Sequence, residues 1–307
     1  MEIGSFAEQV SARVRMELDS SHHVKIHKIN KNNGVIYTGL RVSEDGSNIS
    51  PIIYIDRYFS EYEKGRITIK GIADHVVDTY NRERRANVMA ADMRDFLTYD
   101  SVRKGIVYKL INTEKNRELL KDIPYIEFMD LSIVFQYKLS QEGAGTASIL
   151  VHNVHLKLWD VTKEDLYRAA EENTQKLLPY EIKSMAEVLC DIMKSENPEG
   201  YDHEKEMEQF SDSVPMYVLS NRNRVEGAAC MLYPDLLKEF SDKADSSFYI
   251  IPSSIHELLL LPVENDGESE EIKSMIKEVN DTQVSEEEIL SYSLYYYDKE
   301  EGKITKL

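Results

Sequence analysis

Strand-period runs in this chain come in neighbouring pairs joined by short turns, and its helical runs are grouped between those pairs. That order constrains the fold more than any other property. Val24 to Ile29 and Val35 to Val42 flank Asn32-Asn33-Gly34, whose Asn-Gly step suits the positive φ angles of a tight hairpin. Leu131, Ile133, Phe135, Tyr137 and Leu139 alternate with Ser132, Gln136 and Lys138, the period of a sheet with one wet face. Gly143 and Gly145 separate that run from a partner, Ala147 to Val151. Further strands are expected at Ile52 to Ile55, Ile106 to Ile111, Met216 to Leu219, Ala228 to Tyr233, Phe248 to Ile251, Ile255 to Leu261 and Tyr292 to Tyr297. A doubly wound parallel sheet needs regular βαβ alternation, which is absent. The expected class is α+β, with largely antiparallel sheets and flanking helices in two or three packed subdomains.

Helices are expected where apolar residues recur three and four apart. Phe6, Val10, Val14 and Leu18 follow the capping-box pattern Ser5-x-x-Glu8, and Ile69, Ile72, Ala73, Val76, Val77 and Tyr80 form a second stripe. Thr162-x-x-Asp165 opens a third helix, with Val161 placed to staple onto Leu166, and with Leu166, Ala169, Ala170 and Leu177 as its inner face. Asn173 falls on the otherwise apolar face of that helix, so its burial requires hydrogen-bond partners. Ile182, Met185, Leu189, Ile192 and Met193 mark another helix, as do Leu236 to Phe240 and the set Ile272, Met275, Ile276 and Val279. Ser285-x-x-Glu288 repeats the capping box, with Val284 and Ile289 as its staple pair. Residues 1–100 read as an αβββα subdomain, and 101–195 as a hairpin plus a helical pair. Residues 196–213, within SENPEGYDHEKEMEQFSDS, read as an acidic linker or loop, and 214–307 as an acidic α+β subdomain.

Charge narrows the function classes. The chain carries 37 Lys+Arg against 55 Asp+Glu, a net charge of -18, and residues 201–307 alone hold 10 basic and 24 acidic residues. Such a field repels a phosphate backbone, so direct nucleic-acid binding is not expected. No apolar run approaches the ~20 residues that cross a bilayer, so no membrane partner is expected. MEIGSFAEQ has neither a basic nor an apolar leader region. Two cysteines, Cys190 and Cys230, offer no disulfide framework and fit a reducing, cytoplasmic setting. Both read as inert core thiols.

Each chemical constellation lacks a part. His152-Asn153-Val154-His155 could supply two metal ligands, but no third lies at a recognisable spacing. Polar groups satisfying backbone at a strand-to-helix junction are the better reading of that pair. Ser253-Ser254-Ile255-His256-Glu257 holds a nucleophile, a base and a carboxylate by type, with Ser254 and His256 on one face of a strand. Catalytic triads are assembled from separate elements beside an oxyanion hole, and no G-x-S-x-G elbow occurs. His23 and His27 share a strand face, read as the wet side of a hairpin, and Arg82, Arg84 and Arg85 sit near a helix end. Asn221, Asn223 and Arg224 read as a turn. Phosphate-cradling glycine loops are missing, so no nucleotide or other cofactor is expected.

Longer blocks carry a resemblance. IVYKLINTEKNRELLKDIPYIEFMDLSIVF (106–135), ILVHNVHLKLWDVTKEDLYRAAEENTQKLLPYEIKSM (149–185), MYVLSNRNRVEGAACMLYP (216–234), FYIIPSSIHELLLLP (248–262) and KEVNDTQVSEEEILSYSLYYYD (277–298) resemble domain of unknown function family 5688, from anaerobic Firmicutes. NNGVIYTGL and GSNISPIIYID near the start belong to the same resemblance, which covers nearly the whole chain. The element order from Leu150 to Leu261 is similar, more loosely, to the YtpQ-like family. The resemblance implies a cytoplasmic bacterial protein and brings no catalytic residue with it. The resulting expectation is a non-catalytic binding or interaction module for an unidentified protein or small molecule. Its ligand-binding residues would be sought among the polar groups at strand ends, Asn153, His155, Asn221, Ser253, Ser254 and His256. The rival expectations are a hydrolase or metal enzyme using His152, His155 or His256, and an acidic decoy for DNA-binding proteins.

Overall fold

The computed structural model describes residues 1–46, 50–87, 96–139, 147–198, 202, 207, 210, 215–263 and 269–307. Gly143, Gly145, most of the acidic stretch 196–213 and the side chains of Arg84 and Arg85 lie outside the described residues. The chain divides into two units, Met1–Met93 with Leu139–Ala147, and Arg94–Lys138 with Ser148–Leu307. The class is α+β, and the strand registers are antiparallel.

In the first unit, α1 (Ile3–Glu17) and α3 (Ile69–Asn87) lay apolar stripes on a three-stranded sheet of β1 (His22–Asn30), β2 (Ile36–Glu44) and β3 (Ile52–Tyr54). Phe6, Val10 and Val14 of α1 meet Ile72, Val76 and Tyr80 of α3 over Val24, Leu40 and Ile53. Asn33 and Gly34 take left-handed φ angles of 58° and 72° between β1 and β2, as the Asn-Gly step requires. Two details differ from expectation. α1 begins at Ile3 with no side-chain cap, so Ser5 lies inside the helix; the buried stripe starting at Phe6 sets the helix, not the box. A further helix, α2 (Asp56–Glu63), is inserted before α3, where Asp56 accepts the Thr38 amide at 2.8 Å.

The second unit holds two sheets. One runs β13-β12-β10-β11-β9-β8, comprising β8 (Tyr180–Ser184), β9 (Tyr217–Asn221), β10 (Phe248–Pro252), β11 (Leu258–Pro262), β12 (Tyr295–Asp298) and β13 (Lys303–Lys306). The other runs β4-β6-β5, comprising β4 (Ile106–Asn112), β5 (Tyr125–Phe128) and β6 (Leu131–Leu139), with β7 (Ala147–Leu150) also paired to β6. One core joins them, from Tyr108, Ile133 and Phe135 through Leu166 and Cys230 to Phe248, Leu260 and Tyr295.

The second unit departs from its sequence pattern in several places. β6 has no wet face over Leu131 to Gln136, because Ile111, Leu120, Ile123 and Val134 form a second small core on the side expected to face water. Ala228 to Tyr233 is a 3-10 segment, Gly227–Leu232, and not a strand; Gly227 lies so close to Ser220 and to the His256 carbonyl that nothing larger fits. Ile182 sits on β8, and the helix after it starts at Met185, capped by Ser184 and Glu187. The second core-facing pair expected in the helix Ser269–Thr282, Met275 and Val279, is exposed, while Ile272 and Ile276 are buried. Ser285 opens only a short 3-10 turn without a side-chain cap.

Candidate functional site

A cleft in the second unit is built by helix α6 (Lys163–Leu177), which lies beside the segment running from α4 (Tyr99–Val102) to Gly105. The start of α6 is set by its capping box. The Thr162 hydroxyl accepts the Asp165 amide at 3.2 Å, and the Asp165 carboxylate accepts the Thr162 amide at 2.9 Å. These bonds and Arg168 hold the Asp165 carboxyl below the usual range.

β4 is an edge strand, and α6 supplies what a neighbouring strand would have supplied. The Tyr108 amide donates to Thr174 Oγ1 at 3.1 Å, and Asn173 Nδ2 donates to the Ile106 carbonyl at 3.0 Å. The same Asn173 amide nitrogen donates to the Arg103 carbonyl at 2.7 Å. At the other end, Tyr99 Oη donates to the Asp165 carbonyl at 3.0 Å. Two pins therefore fix the walls: Tyr99 on Asp165, and Asn173 on Arg103 and Ile106.

Between the pins lies a cleft of about 570 Å³. On α6 its lining residues recur at helical spacing, Asp165, Arg168, Ala169, Glu172, Asn173, Lys176 and Leu177, facing Tyr99, Arg103 and Lys104. Four side chains are cationic and two anionic, and Asp165 is already bonded to Thr162 and Arg168. Among the described residues, Lys104 and Lys176 make no ion pair.

The residues singled out from the sequence fall into two other places. In the first, His152 immediately precedes helix α5 (Asn153–Trp159), and its amide donates to His155 Nδ1 at 3.0 Å, which leaves the His155 proton on Nε2. Burial, then His152, lowers the His155 pKa, and its ring lies edge-on to Phe96 at 5.0 Å. Asn153 Nδ2 donates to the Lys121 carbonyl at 3.1 Å. The junction satisfies backbone.

The second place is the loop after β9. The buried Asn221 accepts the Asn223 amide at 3.0 Å and donates to the Val225 carbonyl at 2.8 Å, closing a turn in which Arg224 and Glu226 take left-handed φ angles. The Glu226 amide donates to His256 Nδ1 at 3.0 Å, and His256 Nε2 is 3.6 Å from Glu288. Ser254 and His256 lie in the turn before β11 and not on a strand, and Ser254 Oγ accepts the His256 amide at 3.0 Å. Ser253 flanks this turn without joining the cluster's hydrogen bonds. Asn221, Ser254 and His256 thus surround one loop, and Asn153 and His155 belong to another neighbourhood.

That loop carries a residue the sequence reading passed over. The Glu226 carboxylate is bonded to Lys109 at 2.8 Å, Lys138 at 3.5 Å and Gln136, with its side chain 14% exposed. Burial alone would raise its pKa, but the two ammonium groups, Lys109 foremost, hold it at about 2. A second carboxylate, Asp130, sits in the two-residue turn between β5 and β6. It accepts hydroxyls from Ser291 at 2.6 Å, Ser293 at 3.0 Å and Tyr295 at 2.9 Å, side chains two apart along an extended segment. Elsewhere, His23 meets Asp45 at 2.9 Å, and burial pushes the Cys230 thiol up to about 12. Among the described residues, no group of three or more His, Cys, Asp or Glu is placed to hold a metal ion, and no helix is long and apolar enough to cross a membrane.

A family described as a family of unknown function (DUF5688) matches residues 3–299. No curated protein and no solved structure matches the chain. The chain belongs to that family of unknown function.

Proposed function

We propose that this member of the family is a non-catalytic binding module of the cytoplasm, and that its binding surface is the cleft between α6 and Tyr99–Gly105. One observation carries the reading: a concavity of about 570 Å³, pinned at both ends, retains two lysines, Lys104 and Lys176, that make no ion pair among the described residues. That volume falls in the range of small-molecule sites, about 300–1,000 Å³. The strand-end residues are less suited to the task, because several of their polar atoms already serve the local backbone. His155 Nδ1, His256 Nδ1 and Ser254 Oγ each accept a backbone amide, and Asn221 closes its own turn. A hydrolase would need one of these groups free beside a nucleophile, and that supports binding over catalysis. The acidic balance of the chain favours a compact ligand over a nucleic acid.

Ala169 lies on the lining face of α6 and makes neither pin itself, so Ala169→Trp places a ring in the cleft while the residues of both pins stay unchanged. In a fragment screen followed by amide NMR, saturable shifts are expected at residues 99–105 and 163–177, and they should vanish in the Trp variant. Hits confined to the Asn221–His256 loop, or no saturable hit in the cleft, would reject it as the binding surface.

A further inference from the structure

We infer that the cleft takes a small organic anion, a carboxylate or phosphate ester carried on an apolar body; this rests on the cleft being the binding surface. Three features of the lining point there.

The first is where the charge is left over. Asp165 is committed to Thr162 and Arg168, so the remaining groups are Arg103, Lys104 and Lys176 against Glu172. The Arg103 guanidinium meets the carboxylate of the exposed Asp100 only at 3.9 Å, a weak contact. In a chain with a net charge of -18, a pocket with surplus cations is a local inversion of the field. Such an inversion attracts a compact anion at close range while the rest of the molecule repels extended polyanions.

The second is the floor. The ring of Tyr99, the methyl of Ala169 and the half-exposed Leu177 give the cleft an apolar surface, extended by the methylene stems of Lys104 and Lys176. An inorganic ion would leave that surface wet. A ligand with an aromatic or aliphatic body covers it, which is how small-molecule sites divide the work between apolar lining and a few polar anchors.

The third is placement. Lys176 is eight residues beyond Arg168 on α6, about 12 Å along the axis, and Arg103 and Lys104 face that interval from the opposite wall. The Asn173 bond to the Arg103 carbonyl fixes that wall, so these cations are positioned before a ligand arrives. Lysines carry the anion here as point charges, which suits a carboxylate and a phosphate alike.

Three probes of similar size separate the outcomes: phenyl phosphate, benzoate and benzylamine, each titrated into the full chain and followed by amide NMR at residues 99–105 and 163–177. Phenyl phosphate and benzoate should bind at least tenfold tighter than benzylamine, and both should weaken as salt rises from low to physiological strength. The double variant Lys104→Gln, Lys176→Gln should weaken both anions about tenfold or more, because the charge that strengthens each hydrogen bond to the anion is lost. The double variant Lys104→Arg, Lys176→Arg should retain them. Both lysines are exposed, so neither pair of changes threatens the fold. A carboxylate-specific site would prefer benzoate, a phosphate-specific one phenyl phosphate, and either result supports the inference. Equal or tighter binding of benzylamine in the cleft, or anion binding indifferent to the Gln variant, overturns the anion class and leaves the cleft as a binding surface. No probe of any charge shifting the cleft resonances removes both.

Discussion

The second unit contains two sets of lysines that the sequence does not distinguish and the fold treats in opposite ways. Lys109 and Lys138 lie against Glu226, their side chains 22% and 15% exposed. Lys104 and Lys176 line an open cleft and make no ion pair among the described residues. The difference is a matter of solvation. An ammonium shielded from water must be paired, because an unpaired buried charge costs several kcal/mol. An ammonium in a cleft keeps its hydration and needs no partner. One set is committed to the architecture and the other is available for recognition.

The largest expected effect tests the committed set. Glu226→Ala leaves two half-buried ammonium groups facing each other and should lower unfolding stability by about 3–5 kcal/mol in urea titrations. A loss under 1 kcal/mol would mean that the cluster is solvated and that the contrast with the cleft is false. The acid limb sharpens the same point. Glu226 has a folded pKa of about 2 against an ordinary 4.5, so its stabilisation is complete above about 4.5 and is lost as pH falls towards 2. Glu226→Gln should flatten the stability curve in that window and leave its shape near neutrality unchanged.

A smaller effect is expected at Asp130. Asp130→Asn keeps one carbonyl oxygen but loses the anion that accepts three hydroxyls, and should cost about 1–3 kcal/mol by the same titration. The smallest belongs to the free set: Lys104→Gln with Lys176→Gln should move stability by no more than about 0.5 kcal/mol. A larger loss would show that these lysines also serve the fold.

How much of this could be read from the sequence depended on whether the signal was local. The hairpin at Asn33-Gly34 and the cap at Thr162 and Asp165 are set by residues within four positions of one another, and both formed as the pattern requires. Asn173 was conspicuous as a polar residue expected on an apolar stripe; the buried stripe is instead Leu166, Ala170 and Thr174, and Asn173 lines the cleft with Leu177, its amide donating to the carbonyls of Arg103 and Ile106. Those carbonyls are about seventy residues away, so the cleft they define could not be inferred from spacing. A polar stripe along α6 from Asp165 through Arg168 and Glu172 to Lys176 was the one local trace of it. Ala228 to Tyr233 misled for a different reason. A short, continuously apolar run has no period, and here it coils tightly because Gly227 is wedged against Ser220 and His256. The β6 alternation failed because covering groups arrive on its second face from Leu120, Ile123 and Glu226, which no property of β6 announces.

The Asp130 clamp has a consequence for how the protein is made. Its hydroxyl partners are translated 161 to 165 residues after it, an interval of about 10–30 s at 5–20 residues per second on the ribosome. During that interval the β5–β6 turn has its carboxylate but not its donors, and in its last part β10, once made, still lacks β12 as a neighbour. This unit therefore completes itself only when its last strands emerge, and the nascent chain must be kept from sticking to others until then.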